Sequence, residues 1–247
     1  IDGVFGKFPV REKEWTAPRN YRRVKDRENW IVKTSGRRTF PWRVFAIAPT
    51  PAALMEQRLV YDLASPAQGD FSWVKPGLCV WDWWSKWYLD DVPFNPGINT
   101  ETYRHYVDFA VEFGLHWMIV DEGWKQGDDL YAETPGFDLD GVISYATARN
   151  VRVMLWTAWR SIDGRQDEYF SHFAKRGVKG FKIDFMERDD AALMRFMEET
   201  LTVAAKYRIC IDFHGCGKPT GLERTYPNLV GIEGVHGLEL MKLSFAN

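Results

Sequence analysis

The sequence predicts an α/β chain. Residues 76–247 read as a partial (β/α)8 TIM barrel with about six βα units, and residues 1–75 as the trailing part of a β-rich domain plus a linker. Two observations carry this reading. Short apolar runs alternate with amphipathic segments from residue 78 onward, and nearly every run ends in polar or acidic residues. The stretch before residue 75 has a different texture, basic and polar over 11–38 and broken by Pro49-Thr50-Pro51.

Taken in order, Arg43 to Ala48 alternates as a strand does, and Ala52 to Ala64 carries helical periodicity. Gly69 to Gly77 marks the boundary. The six predicted barrel strands are Leu78–Trp84, His116–Asp121, Val151–Trp156, Lys179–Phe185, Arg208–Phe213 and Leu229–Glu233. Helical patterns lie between them near Thr100–Phe113, Leu139–Arg149, Glu168–Lys175 and Ala191–Lys206, while Lys218–Pro227 is short and turn-rich. Asn99-Thr100 and Asp189 fall where N-caps belong, and Gly114 and Gly177 where helices end. A doubly wound open sheet is the competing architecture, but no Gly-rich fingerprint follows the first strand. A closed barrel has eight strands, so the chain reads as a fragment of one.

Composition narrows the function classes. Of 247 residues, 45% are hydrophobic and 27% charged, with a formal net charge of −2, which gives no electrostatic case for nucleic acid or a lipid surface. No apolar run approaches the roughly 18–20 residues that span a bilayer. Cys79, Cys210 and Cys216 lack zinc-ligand spacing, and Cys79 and Cys210 sit in apolar runs where a small buried thiol is expected. Twelve tryptophans are unusual; Trp81, Trp83 and Trp84 cluster in one predicted strand, and Trp124, Trp156 and Trp159 follow others. For any one of them core packing is the plain reading, yet flat indoles at strand ends also suit the apolar faces of sugar rings.

The strand ends supply Asp82, Asp121-Glu122, Asp184, Asp212-Phe213-His214, Glu233 and, just beyond, Glu239. Capping and structural pairing explain many acids in βα loops, but a set converging on one face of a barrel points to a site. Lys182 lies two residues before Asp184 and so shares its side of the strand, where an ammonium favours the charged form of a carboxylate and can donate to a hydroxyl; an internal salt bridge is the bland alternative. His214 follows Asp212 by two and could bind a substrate hydroxyl or be a satisfied buried histidine. Glu233 and Glu239 flank a Gly-rich loop whose hard oxygens suit Ca²⁺, a weak signal on two glutamates alone. The Glu187-Arg188-Asp189-Asp190 run reads as a solvated loop and helix start.

Seven segments in order resemble glycoside hydrolase family 97: VWDWW (80–84), GINTETYRHYVDFA (97–110), VDEGW (120–124), GVKGFKIDFMERDD (177–190), DFHG (212–215), KPTGLERTYPN (218–228) and EGVHGLE (233–239). RTFPWRVFAIA (38–48) is similar to the end of that family's N-terminal β-sandwich. The resemblance implies bacterial α-glycosidases, α-galactosidases or α-glucosidases, acting on oligosaccharide or α-galactoside substrates in the periplasm or outside the cell. In its retaining members the nucleophile matches Asp184 and the acid/base matches Glu239. Inverting members carry base glutamates after the third and fifth strands, where this sequence has Trp156-Thr157-Ala158-Trp159 and His214-Gly215, so retention is expected. Substrate contacts are expected from the strand-end residues Asp121, Glu122, Trp124, Trp156, Lys182 and His214. The resemblance also implies one Ca²⁺ held by residues matching Glu233 and Glu239, with a further ligand from the N-terminal domain, ahead of Ile1. Two other classes compete: a sugar-binding module without hydrolysis, and a metal-dependent barrel aldolase or isomerase. The latter finds no ligand spacing in His105, His116, His172 and His236.

Overall fold

The computed structural model describes residues 6–14, 22–39, 44–84, 86–186, 188–217, 221–235, 237–239 and 241. A hairpin of β1 (Pro9–Glu14) and β2 (Arg22–Arg27) comes first, followed by two one-turn helices, α1 (Pro51–Met55) and α2 (Leu59–Leu63). Then come β3 (Cys79–Trp81), α3 (Thr100–Glu112), β4 (Trp117–Val120), α4 (Leu139–Thr147), β5 (Arg152–Ala158), α5 (Trp159–Ile162), α6 (Gln166–Arg176), β6 (Gly180–Asp184), α7 (Ala191–Lys206), β7 (Cys210–Phe213), α8 (Leu222–Thr225) and β8 (Leu229–Ile232). Strands β3 to β8 form one parallel sheet in sequence order. That order is the topology of a barrel, here six strands of it.

The alternation of side chains builds two unequal layers. Met118, Val120, Val153, Leu155, Phe181, Ile183, Ile211 and Phe213 join the large core shared with the helices, against Val107 and Ala110 of α3, Val142 of α4, Phe170 and Phe173 of α6, and Leu193, Met197 and Leu201 of α7. Each fully buried aromatic or aliphatic side chain in that layer contributes about 1.5–3 kcal/mol of transfer free energy. The other face carries Trp117, Ile119, Met154 and Cys210 toward the amino ends of the strands, packed on Trp73, Trp81 and Val230. A cavity of about 130 Å³ opens there, lined by Cys79, Trp117, Met154, Asp212 and Gly231 among others. Toward the carboxyl ends the same face changes to Asp121, Lys182, Asp184 and Asp212. A dry floor under a charged rim is what a barrel-top site needs.

Local signals fix the helix ends. The side chains of Asn99, Asp138 and Asp190 accept from the backbone N–H of Thr102, Gly141 and Leu193, and α6 ends on Gly177 in the left-handed region. The α7 cap is therefore Asp190, one residue past the expected Asp189: its backbone is extended and its carboxylate accepts from the Leu193 N–H. Residues 44–48 form no strand, and Phe45 and Ile47 lie exposed; alternation supplies a face, but no neighbouring strand pairs with it among the described residues. Arg43 itself lies outside them. The predicted helix over 52–64 is split into α1 and α2. Cys79 is exposed rather than buried, since β3 is an edge strand of the sheet, whereas Cys210 is buried as expected. No helix among the described residues is long and apolar enough to cross a membrane.

Candidate active site

Parallel pairing brings the charged residues level with one another. Trp156 of β5 pairs with Lys182 of β6, Ala158 with Asp184, and Lys182 with Asp212 of β7. Asp184 is the last residue of β6, and two donors grip its carboxylate: Trp156 Nε1 donates to Oδ2 at 3.0 Å and the Phe185 N–H to Oδ1 at 2.7 Å. The second bond requires the chain to turn sharply, and Phe185 sits at φ 66°, left-handed backbone for a bulky residue. Such a conformation costs on the order of 1–3 kcal/mol and persists only where its surroundings enforce it. Lys182 Nζ stands 3.7 Å from Asp184 Oδ2, in ion-pair range but not a close hydrogen bond.

The closer partner of Lys182 is Asp121, at 2.6 Å, with both side chains only 3% exposed. Lys182 also lies 4.7 Å from the centre of the Trp81 ring, whose Nε1 donates to Asp121 Oδ2 at 2.6 Å. Burial works to lower the Lys182 pKa, but the charges of Asp121 and Asp184 outweigh it and leave the ammonium above its ordinary value. Behind Asp121 lies Asp82, 1% exposed, which accepts from Tyr103 Oη at 2.6 Å, Trp87 Nε1 at 3.0 Å and the Asp121 N–H at 3.2 Å. Burial, with the negative charge of Asp121 added, pushes Asp82 up to about 7 against those three bonds. Glu122 is half-buried beside this group, and its N–H donates to Asp121 Oδ1 at 2.7 Å.

On the other side, His214 bridges two acids: Nε2 faces Asp212 Oδ2 at 3.0 Å and Nδ1 faces Glu233 Oε2 at 3.3 Å. Burial opposes protonation of His214, yet the hydrogen bond to Asp212 prevails and raises its pKa. Glu233 Oε2 also accepts the Gly215 N–H at 3.1 Å. Asp212 fits here only because its neighbour on β8 is Gly231, where a Cβ would come within 2.4 Å of Asp212 Oδ1. Glu239 lies on the turn after β8, and Trp83 Nε1 donates to its Oε1 at 2.5 Å. The far oxygen of Glu233, Oε1, points at Gly237 in the same loop, 3.8 Å from where a Cβ would sit. His236 lies outside the described residues.

The structure thus places Asp184, Lys182, Asp121, Glu122 and Trp156 in one connected group at the strand ends and His214 and Glu233 on the adjoining β7–β8 side, while Glu239, on the turn after β8, is held by Trp83 beyond β3. Trp124 is assigned elsewhere. It is fully enclosed, edge-on to Phe173, and its N–H is spent on the Trp156 carbonyl at 2.8 Å, leaving neither a face nor a donor for a sugar. His214 has both ring nitrogens committed to acids, so it acts in this structure as a clamp between β7 and Glu233. Sequence reasoning passed over Trp81, Trp83 and Trp87 as individual donors, whereas Asp82 and Asp212 were among the strand-end acids it named and are found paired with Tyr103, Trp87 and His214. The crowding of tryptophan in 81–87 was the available signal, but it could not name their acceptors, which lie up to 156 residues away. Arg188 also departs from its solvated reading: with Asp190 it is buried, and Glu187 lies outside the described residues.

Comparison with known proteins identifies the family. The family model of glycoside hydrolase 97 matches residues 83–235, well over half of the chain. The chain belongs to glycoside hydrolase family 97. The match includes Asp184, Asp212 and Glu233 and stops short of Glu239. Over 224 residues, 90% of the chain, it is 42% identical to a retaining alpha-galactosidase of Bacteroides thetaiotaomicron. Over 216 residues, 84% of the chain, it is 29% identical to a probable retaining alpha-galactosidase of Streptomyces bingchenggensis. The chain spans about a third of the length of these curated relatives, 34% and 33%. Among solved structures, a family 97 enzyme in complex with acarbose from Pseudoalteromonas sp. strain K8 superposes with a TM-score of 0.66 at 24% identity, over 74% of this chain and 33% of that one. A β-arabinopyranosidase superposes at 0.62 and 25% identity, over 76% and 30%.

Proposed function

We propose that this chain carries the chemical centre of a retaining α-galactosidase, working by double displacement through a glycosyl-aspartate. The observation that supports it most is the held carboxylate of Asp184 at the end of β6, in a chain with 42% identity to a retaining alpha-galactosidase. Trp156 and the Phe185 N–H orient the carboxylate while leaving it at the rim of the strand. Asp184 attacks the anomeric carbon as the glycosidic C–O bond breaks, and Glu239 gives its proton to the departing oxygen. Glu239 then takes a proton from water, whose oxygen displaces Asp184 and restores the starting configuration. This mechanism places the two carboxyls roughly 5–5.5 Å apart when substrate is bound. Trp83 holds Glu239 through Oε1, and the buried Lys182–Asp121 pair keeps an ammonium beside Asp184 as the ester forms.

A Ca²⁺ ion belongs to the same proposal. The donor chemistry fits: Glu233 is fixed by Gly215 and His214, and its second oxygen turns toward the loop that ends in Glu239. Among the described residues no group of three or more such side chains converges, so Glu233 and Glu239 would supply part of the six to eight oxygens calcium takes. Bound there, the ion would supply positive charge beside substrate hydroxyls. The test is to assay the full-length protein on nitrophenyl α-galactoside and α-glucoside, with and without chelator. The galactoside should be cleaved with kcat/KM at least about tenfold higher, and chelation should lower the rate until Ca²⁺ is restored. A faster glucoside would transfer the protein to the α-glucosidases, and binding of either sugar without cleavage would make it a lectin-like module.

A further inference from the structure

The buried ion group at the start of α7 links the N-terminal hairpin to the loop that follows Asp184. Asp190 is wholly enclosed, yet its carboxylate accepts four bonds: Leu193 N–H at 3.2 Å and Arg188 Nη2 at 3.0 Å on Oδ1, Arg188 Nε at 2.9 Å and Arg27 Nη1 at 3.1 Å on Oδ2. Burial works against the charge on Asp190, but Arg188 and the other donors overcome it and hold its pKa below the ordinary value. Arg27 ends β2 and lies 163 residues away in sequence. Beside it the Gly6 N–H donates to the Asp189 carbonyl at 3.2 Å, and a Cβ on Gly6 would come within 2.7 Å of Asp189 Oδ1. A side chain at position 6 would push against the ends of Asp189 and Arg27.

The loop between Asp184 and Asp190 is thus pinned at both ends. At its near end Trp156 touches it twice, through Asp184 and by an edge contact with the Phe185 ring at 5.5 Å. At its far end Arg188 folds back, its N–H donating to the Met186 carbonyl at 2.6 Å, and its guanidinium lies 5.6 Å from the Trp159 ring. A strained Phe185 needs such enforcement, since a βα loop tied at one end would relax the left-handed turn. We propose that Arg27 is a positioning residue for the nucleophile: acting through Asp190 and Arg188, the N-terminal hairpin fixes the β6–α7 loop and hence the carboxylate of Asp184. The inference rests on the reading of Asp184 as nucleophile. It adds that a residue outside the barrel sets the reaction geometry.

The test uses the full-length protein with Arg27→Ala and Arg27→Lys. Arg188 keeps its two bonds to Asp190 in both variants, so the α7 cap and the fold survive. Arg27→Ala should lower kcat roughly tenfold with KM within about twofold, because misplacing a reacting group costs rate and not ground-state binding. Arg27→Lys should recover most of the loss. Hydrogen–deuterium exchange of the 181–193 peptide should speed up in Arg27→Ala and not in Arg27→Lys. An unchanged kcat, even with a lower Tm, overturns the proposal, as does a lower kcat with unchanged exchange at 181–193. If the wild-type protein cleaves no α-glycoside, the galactosidase reading fails on its own, and the exchange measurement still decides whether Arg27 fixes the loop.

Discussion

On the proposed double displacement, Asp184→Ala in the full-length protein should lose turnover by on the order of 10⁴-fold or more, since the covalent path would have no second nucleophile to fall back on. The loss should come with little change in stability. The carboxylate sits at the end of β6 and is 15% exposed, so its removal leaves the Trp156 and Phe185 N–H groups at a rim that water reaches. Added azide fills the space the carboxylate vacates, attacks the anomeric carbon from the same face and yields a β-glycosyl azide. Formation of that azide on an activated aryl α-galactoside, followed by chromatography and NMR, checks the assignment. Activity near wild type in Asp184→Ala would remove Asp184 from the chemistry.

Glu239→Gln has a different signature, because the acid matters in proportion to how poor the leaving group is. Substrates with an alkyl or sugar leaving group should lose roughly 10²–10⁴ in kcat/KM, the usual contribution of a positioned general acid. A dinitrophenyl galactoside needs no proton and should form the glycosyl-enzyme almost normally, then stall at hydrolysis. Azide should relieve that stall and give an α-glycosyl azide, opposite in anomer to the product from Asp184→Ala. The amide keeps an oxygen for Trp83 Nε1, so the turn after β8 retains its anchor. Equal losses on both substrates would place Glu239 in binding and not in proton transfer.

Much of the barrel was legible because strands buried on both faces must be apolar. The segments Trp117–Val120, Arg152–Ala158, Gly180–Asp184 and Cys210–Phe213 all fall within two residues of their predicted bounds. Alternation alone misled at 44–48, where a face was present but no pairing strand. The Lys182–Asp184 relation was legible from the period of a strand. That Lys182 would prefer Asp121 was not, because the shorter bond depends on how β4 and β6 face each other across β5. Trp124 and Trp156 looked alike in sequence, each following a strand, yet one is core and the other holds the Asp184 carboxylate. The difference lies in which side of the sheet each faces, and local sequence at the end of a strand does not encode that. The contact of Arg27 with Asp190 was out of reach for the same reason: nothing near residue 27 says what it will touch 163 positions later.

The central claim is that Asp184 forms and then breaks a bond to the sugar, and the anomer of the first product tests it most directly. Proton NMR of an α-galactoside mixed with the full-length protein should show the α-anomer of galactose appearing first, with the β-anomer growing in only at the rate of mutarotation. First release of the β-anomer would mean a single displacement by water, and Asp184 would then have no covalent role.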